Sequence, residues 1–135
     1  MALISAFIIA KNEEHRIARA IKSLQRVADE IIVIDSGSSD NTVKISEELG
    51  ARVVYNKWPG YVQQKIFGEK LCKHQWVLNI DADEELTDLL QDEIIAIFKS
   101  NIEDRYKAYR INFLIMHRKD VAPRLMAPSN TFIRL

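Results

Sequence analysis

The chain has 135 residues, and its 19 basic and 19 acidic side chains leave no formal net charge. That length suits a single domain, residues 1–135, with one hydrophobic core. The charge balance creates no global field that attracts nucleic acid or an acidic membrane, so we expect no nucleic-acid partner. The single cysteine, Cys72, excludes an internal disulfide and a cysteine-rich zinc site, fits a reducing compartment, and is expected to pack in a helix.

The first apolar segment is residues 2–10. It is too short to cross a bilayer, and it runs directly into the polar residues 11–14. We therefore predict a first strand at residues 3–10. Apolar side chains then recur at helical spacing over residues 17–28, so the pattern predicts a strand followed by a helix.

Strands and helices continue to alternate along the chain. Further strands are predicted at residues 31–34, 53–55, 76–80 and 108–115, with the beginning of another at 131–135. Helices are predicted from the end of the polar loop 36–40 to Gly50, at about 61–72 after Pro59 and Gly60, and at about 87–100. This alternation predicts an α/β fold with a mostly parallel sheet and helices on both of its faces.

The most informative stretch is the apolar strand 76–80, which is followed by Asp81 and Asp83. These aspartates should lie beyond the carboxyl end of the strand, where open α/β sheets bind ligands. Two carboxylates this close repel each other in a partly desolvated site, and a divalent cation bound to phosphate oxygens relieves the repulsion. The pair therefore predicts a metal-assisted reaction on a phosphorylated substrate, although two acids after a strand are also typical of a solvated turn or a helix cap.

Polar residues also follow two other predicted strands, with residues 11–13 after the first and Asp35 after the second. Because the carboxyl ends of parallel strands meet at one edge of a sheet, these residues and the two aspartates are predicted to line one crevice. The loop 36–40 offers backbone N–H groups and hydroxyls to an anionic or ribose-bearing ligand. Alternatively, Ser39 or Asp40 simply caps the next helix.

Three segments, in this order, resemble the family 2 glycosyltransferases of GT-A fold. They are Ile-Ile-Ala-Lys-Asn-Glu-Glu at 8–14, Val-Ile-Asp-Ser-Gly-Ser-Ser-Asp-Asn-Thr at 33–42 and Ile-Asp-Ala-Asp-Glu at 80–84. With Pro-Gly-Tyr at 59–61, the chain is most similar to the bacterial lipopolysaccharide-core glucosyltransferases, over nearly its whole length to about Leu86. The resemblance implies inverting transfer from a UDP-sugar donor to a glycan or lipid-linked acceptor, with Mg²⁺ or Mn²⁺, in lipopolysaccharide or other cell-envelope glycan synthesis.

The resemblance also implies roles for individual residues. The turn 10–13 would hold the base and ribose, Asp35 would accept a hydrogen bond from the base, and Asp83 would coordinate the metal that bridges the two phosphates. Asp81 would face the ribose or a metal-bound water, and it is the second candidate metal ligand. The donor-binding residues implied in this way are Ala10, Lys11, Asn12, Glu13, Asp35, Ser36, Gly37, Lys65, Asp81, Ala82 and Asp83.

Two lysines and the general base stay open at this point. Lys11 either stacks on the base or points to solvent, and Lys65 lies either near the donor or on a solvated helix face. An inverting transfer needs an acid within hydrogen-bond reach of the acceptor hydroxyl. The acidic pair 103–104 follows too soon after the metal motif, and the pair 84–85 is equally explained by a helix dipole. The sequence therefore identifies no general base. His117 is expected to be structural rather than a third metal ligand.

The resemblance implies that family members continue beyond the point where this chain ends. The chain is therefore expected to be the donor-binding half of such an enzyme, as an expressed fragment, a truncated gene product or a subunit completed by another chain. The mixed apolar and basic segments 113–119 and 124–126 are expected to pack on the remaining part, or to approach a lipid-linked acceptor at the membrane surface. We expect a cytoplasmic protein at or near the inner face of the cytoplasmic membrane, and dimerisation stays open.

Other functions make different predictions. A sugar nucleotidyltransferase needs a glycine-rich loop after the first strand and a dehydrogenase needs a Gly-x-Gly-x-x-Gly turn, but residues 11–14 contain no glycine. A phosphatase of the haloacid dehalogenase type carries its Asp-x-Asp after the first strand, whereas here it follows the fourth. The alternative that stays open is a non-catalytic nucleotide-sugar-binding module, which exposed apolar surface or dimerisation would favour.

Overall fold

A computed structural model describes residues 3–101, 105–114 and 129–133 of the chain, with side chains at 3–101 and 105–111. In chain order its elements are β1 (Ile4–Ala10), α1 (Ile17–Leu24), β2 (Glu30–Asp35), α2 (Thr42–Glu48), β3 (Arg52–Tyr55), α3 (Tyr61–Leu71), β4 (Trp76–Asp81), α4 (Asp88–Lys99), β5 (Arg110–Leu114) and β6 (Ser129–Ile133). The predicted alternation of strands and helices is confirmed over the described residues.

Strands β1 to β4 form one parallel sheet in the order β3-β2-β1-β4, and β5 pairs with β6 in a separate antiparallel pair. β1 lies at the centre because it pairs with both β2 and β4. The carboxyl ends of β1, β2 and β4 consequently lie along one edge of the sheet. The predicted mostly parallel sheet is confirmed, and this edge is where a ligand site is expected.

The central strand β1 buries side chains on both faces of the sheet. Every one of its residues is buried. Ala6 and Ile8 belong to the larger core cluster with α1, α2 and α4, whereas Phe7 and Ile9 belong to a smaller cluster with α3. Successive strand residues point to opposite faces, and a continuous apolar run is typical of a parallel strand that is covered on both sides. Helices therefore cover both faces, as predicted.

The helices are short. α1 ends at Leu24 rather than at the predicted Ala28, because the chain turns there: the N–H groups of Val27 and Ala28 both donate to the Leu24 carbonyl, at 3.0 and 2.9 Å. Over the described residues, no helix has the length and apolar character that crossing a membrane requires.

Cys72 follows the last residue of α3 and packs against the smaller core cluster. Its Sγ donates a hydrogen bond to the carbonyl of Gly68 at 3.4 Å. The expected packing role is confirmed. Burial, followed by the negative charges of Glu30 and Glu69, raises the pKa of the Cys72 thiol to about 11.

We expect Cys72 in the native protein to react with iodoacetamide on the order of a hundredfold more slowly near pH 8 than in urea-unfolded protein, because the thiolate is the nucleophile and an ordinary thiol has a pKa of about 8.5. Mass spectrometry after timed quenching measures both alkylation rates. Similar rates in native and unfolded protein would contradict the raised pKa.

Candidate functional site

The carboxyl edge of the sheet carries a cleft of about 260 Å³. It is lined by Ile9, Ala10, Lys11, Glu13, Ser36, Trp58, Tyr61, Asp81, Ala82 and Asp83. These residues come from the ends of β1, β2 and β4 and from the start of α3, so the three strand ends predicted to converge do converge. Four other predicted site residues, Asn12, Asp35, Gly37 and Lys65, are not among the lining residues.

Asn12 joins the turn after β1 to the loop after β2. Its backbone lies in the left-handed region with φ 54°, a conformation that asparagine tolerates better than most residues. Its N–H donates to Ser38 Oγ at 2.9 Å, and its Oδ1 accepts from the N–H of Ser39 at 2.8 Å. Asn12 therefore ties the turn after β1 to the loop after β2.

The same turn is also tied to the start of α2. The N–H of Glu13 donates to Thr42 Oγ1 at 2.8 Å, and Glu14 Oε2 accepts from the N–H of Asn41 at 3.0 Å. Asn41 takes the N-cap position of α2 but makes no side-chain cap hydrogen bond, whereas the Asp40 carboxylate accepts from the N–H of Thr42, the first residue of the helix, at 2.9 Å. Burial alone would raise the pKa of Asp40, but hydrogen bonds from Thr42 and from the N–H of Glu14 outweigh it and lower that pKa.

Asp35 is 4% exposed at the end of β2. Its Oδ2 accepts from the N–H groups of Gly37 and Ser38, at 2.9 and 3.0 Å, and its Oδ1 accepts from the Ser38 hydroxyl. The N–H of Ser36 donates to Ala10 O, and that of Ser39 to Asn12 Oδ1. The prediction that this loop offers its N–H groups to an anion is therefore wrong for residues 36–39, because all four donate within the protein. The role of Asp35 toward a base stays a prediction.

Asp81 and Asp83 lie in unlike environments. Asp81 Oδ1 accepts from Lys65 Nζ at 2.7 Å, with the two side chains 30% and 19% exposed. Asp83 is 57% exposed, and its ion-pair partner among the described residues is Arg16, at 3.9 Å. Lys65 thus contacts a cleft-lining aspartate rather than pointing into solvent from the helix, and its role toward the donor stays a prediction. Lys65 neutralises Asp81 and solvent screens Asp83, so the expected repulsion between the two carboxylates is relieved. This repulsion alone therefore does not require a bound metal ion.

Metal ligation was predicted for both aspartates. Among the described residues, no group of three or more histidine, cysteine, aspartate and glutamate side chains is arranged to hold a metal ion. Asp83 has an exposed carboxylate at the cleft, which fits a magnesium-type site built from one or two carboxylates and substrate phosphates. Asp81 fits that role less well, because its carboxylate already pairs with Lys65.

The two glutamates after this motif have structural partners. Glu84 Oε2 accepts from the N–H of Asp81 at 2.8 Å and closes the turn. Glu85 forms a two-point ion pair with Arg19, at 2.7 and 3.1 Å. Because α4 begins at Asp88 after the N-cap Thr87, the helix dipole is not what accounts for this acidic pair.

Sequence reasoning missed Gln64, which supports the cleft from within α3. Gln64 is fully buried, its Nε2 donates to Ser36 Oγ at 3.0 Å and to Asn56 O at 3.2 Å, and its Oε1 accepts from Asn56 Nδ2 at 2.6 Å. A polar residue in a helix carries no sequence signal for such a role, since most glutamines are exposed.

Trp58 and Tyr61 were also missed as site residues. Both line the cleft and are half exposed, at 50% and 52%. The available signal was the placement of two aromatic residues on either side of the Pro59-Gly60 turn. Val62 and Ile66 of α3 are also exposed, at 62% and 46%.

Several predicted features lie outside the described residues. They are the acidic pair 103–104, His117, and the segments 115–119 and 124–126.

The sequence of this chain matches a known protein family. A model described as glycosyl transferase family 2 matches residues 5–119. The chain belongs to glycosyl transferase family 2. An uncharacterized glycosyltransferase of Rickettsia felis is 59% identical over 135 residues, which are 100% of this chain and 48% of that protein. The lipopolysaccharide core biosynthesis glycosyltransferase LpsC of Rhizobium meliloti is 42% identical over 94 residues, 66% of this chain and 34% of LpsC. The chain spans about half the length of the Rickettsia relatives it matches.

Solved structures of this family's fold are similar as well. Glucosyl-3-phosphoglycerate synthase from Mycobacterium tuberculosis, in complex with Mn²⁺, UDP and glucosyl-3-phosphoglycerate, is 29% identical with a TM-score of 0.55, over 62% of this chain and 36% of that chain. The same enzyme with Mg²⁺ and UDP also has a TM-score of 0.55 and 29% identity, over 62% of this chain and 35% of that chain. The family 2 chain described here therefore has the GT-A fold that its motifs implied.

Proposed function

We propose that the cleft binds a UDP-sugar together with Mg²⁺ or Mn²⁺, and that the protein transfers the sugar with inversion to a glycan or lipid-linked acceptor. The observation that carries this proposal is the cleft itself, where Lys11, Ser36 and Asp83 from three strand ends meet. Membership of family 2 and the UDP-bound structural neighbours support the choice of donor. The similarity to LpsC supports a role in lipopolysaccharide or other envelope glycan synthesis.

In this proposal Asp83 holds the metal, and the diphosphate of the donor completes its coordination. When bound, the metal supplies charge stabilisation to the departing diphosphate. Lys11 is exposed at the end of β1 and lines the cleft, so it is placed to contact the donor. Asp35 stays the proposed acceptor for the N–H of the base, since a carboxylate has more acceptor sites than its three loop hydrogen bonds use.

Thermal unfolding with UDP and Mn²⁺ tests the donor site. We expect UDP and Mn²⁺ together to stabilise the protein by about 2.7 kcal/mol at a ligand concentration one hundred times the dissociation constant. Asp83→Asn should remove most of the part that depends on Mn²⁺, because it removes the exposed carboxylate ligand. The matched control is Asp88→Asn, an exposed aspartate of α4 that does not line the cleft, and it should keep the full shift. No stabilisation by UDP, with or without Mn²⁺, would show that the donor site is wrongly assigned.

A second candidate function is a nucleotide-sugar-binding module without catalysis. The exposed apolar side chains of Trp58, Tyr61, Val62 and Ile66 favour it, because exposed apolar area is typical of sites that contact other molecules. Release of UDP from UDP-glucose in the presence of a lipopolysaccharide-core acceptor separates the two functions. Turnover supports the transferase, whereas donor binding without acceptor-dependent release supports the module.

A further inference from the structure

The carboxylate of Asp81 has partners on both of its oxygens. Lys65 Nζ lies 2.7 Å from Oδ1, and the Tyr61 hydroxyl lies 3.4 Å from Oδ2. Both partners belong to α3, which covers the face of the sheet where Asp81 points. Lys65 and Asp81 are largely shielded from solvent, with 19% and 30% of their side chains exposed. Their attraction is therefore screened less than that of a surface pair.

Lys65 is itself held in place by the core. Its ammonium also donates to Asn79 Oδ1, and it lies 4.8 Å from the centroid of the Tyr61 ring. Asn79 is 9% exposed, and its amide donates to the carbonyls of Phe7 and Ile80 at 3.1 and 3.3 Å. The Lys65 ammonium is thus held by a hydrogen bond to the buried strand residue Asn79 and by a cation–π contact with the Tyr61 ring. Such a built position distinguishes Lys65 from a flexible surface lysine.

Among the described side chains, the ion-pair partner of Asp83 lies farther away than the partner of Asp81. The guanidinium of Arg16 is 3.9 Å away, and it binds Glu13 more closely, at 2.7 Å. A divalent cation at the cleft therefore meets one carboxylate that is open to solvent and one that is already neutralised. Moving onto Asp81 would bring the divalent cation against the ammonium of Lys65, and like charges a few ångströms apart repel strongly.

We propose that Lys65 is a positioning residue that acts as the built-in counter-ion of Asp81 and withholds this aspartate from the divalent metal. The protein without donor then offers the metal a single carboxylate, Asp83, and binds it weakly until the donor phosphates complete the coordination. Binding of metal and binding of donor are coupled as a result, each strengthening the other by the same factor. This inference rests on the proposed function.

Titration of Mn²⁺ into the 135-residue chain without UDP, followed by the electron paramagnetic resonance of free Mn²⁺, tests the proposal. Lys65→Met should tighten Mn²⁺ binding on the order of tenfold, because it adds the charge of Asp81 to the site. Lys65→Arg keeps the cation and should match the unaltered protein. The matched control is Lys70→Met, an exposed lysine of the same helix, and it should also leave the Mn²⁺ affinity unchanged.

Asp81 provides a second test that does not require removal of the lysine. Asp81→Asn alone should weaken the donor-free Mn²⁺ affinity, but by less than Asp83→Asn does, because it removes no metal ligand and only leaves the ammonium of Lys65 without its counter-ion. The Lys65→Met/Asp81→Asn double variant should lose the gain that Lys65→Met provides. Circular dichroism of each variant verifies that it is folded.

The outcomes separate this inference from the proposed function. If Asp81→Asn weakens donor-free Mn²⁺ binding as much as Asp83→Asn does, or if folded Lys65→Met binds Mn²⁺ no more tightly, the counter-ion role is refuted while the donor site stands. If the unaltered protein binds no Mn²⁺ even with UDP present, both the inference and the metal-dependent function fail.

Discussion

Gly68→Ala is expected to lower the free energy of unfolding by about 2 kcal/mol, because it overpacks the contact between α3 and the central strand. A Cβ at Gly68 would lie 2.5 Å from Cδ2 and 2.7 Å from Cε2 of the Phe7 ring. Neither distance is compatible with van der Waals contact. The absence of a side chain at this position is what allows α3 to lie so close to β1.

Phe7 has little room in which to yield. Its ring is 3% exposed and packs in the smaller core cluster with Ile9, Ile32 and Ile34. Alanine favours a helix over glycine by about 1 kcal/mol, which offsets part of the steric cost. The net effect is still destabilising, since a buried ring that moves must displace its neighbours in a close-packed core.

Urea denaturation of the variants measures this effect. Gln63→Ala, at an exposed position of the same helix, is the control for helix propensity and should change stability by less than about 0.5 kcal/mol. The double variant Gly68→Ala/Phe7→Leu should recover part of the loss, because the smaller side chain makes room for the new methyl group. A Gly68→Ala protein that is as stable as the unaltered protein would refute the steric argument.

Glu30→Gln is expected to cost about 2 kcal/mol of stability near neutral pH. Glu30 lies at the start of β2 with its side chain 9% exposed. Its Oε1 accepts from Ser5 Oγ at 2.9 Å and from the N–H of Lys73 at 3.0 Å. Its Oε2 lies 3.5 Å from Arg52 Nη2 and 3.4 Å from Lys73 Nζ. Glutamine keeps the shape of the side chain but turns an N–H donor or an uncharged oxygen toward two cations.

The pH dependence of this cost follows from the pKa of Glu30. Burial acts to raise that pKa, but hydrogen bonds from Lys73 and Ser5 and the charge of Lys73 outweigh burial and lower it. A carboxylate with a lowered pKa in the folded state stabilises the protein above its unfolded pKa, and it loses this contribution as the pH falls through the folded value.

The difference in stability between the unaltered protein and Glu30→Gln should therefore be constant above about pH 5 and shrink as the pH falls below the ordinary glutamate pKa of about 4.3. Urea denaturation across this range measures the difference. Glu93→Gln, at an exposed position of α4, should show no comparable pH-dependent change. A Glu30→Gln cost that is independent of pH would show that the ionised carboxylate is not what stabilises this corner.

The strands were predictable because burial in a parallel sheet leaves a local signature. β1 and β4 are apolar runs that end at polar residues, and each is covered by helices or neighbouring strands. The convergence of residues 11–13 and the two aspartates followed from a topological rule that needs no side-chain detail. For that reason the position of the cleft was predicted more accurately than its interior.

The interior of the cleft was less predictable because its polar groups choose partners across elements. The loop 36–39 looked available to a ligand, yet its N–H groups donate to Asp35, Asn12 and Ala10. Gln64 lies within a predicted helix and has no distinguishing sequence signal, yet it is fully buried and donates to Ser36 and Asn56. Such choices depend on distances that propensities and periodicity do not contain.

The sequence by itself determined the order in which strands and helices follow one another along the chain, the sheet edge that carries the site and the family to which the chain belongs. These features depend on hydrophobic periodicity and on the residue types that follow each strand, both of which are local. Only the tertiary structure decided that Asp81 forms a close, largely shielded pair with Lys65, while Asp83 is mostly exposed and lies 3.9 Å from Arg16. The physical reason is that a charge pair forms where two elements bring a cation and an anion within about 4 Å, and the sequence contains the charges but not their separation.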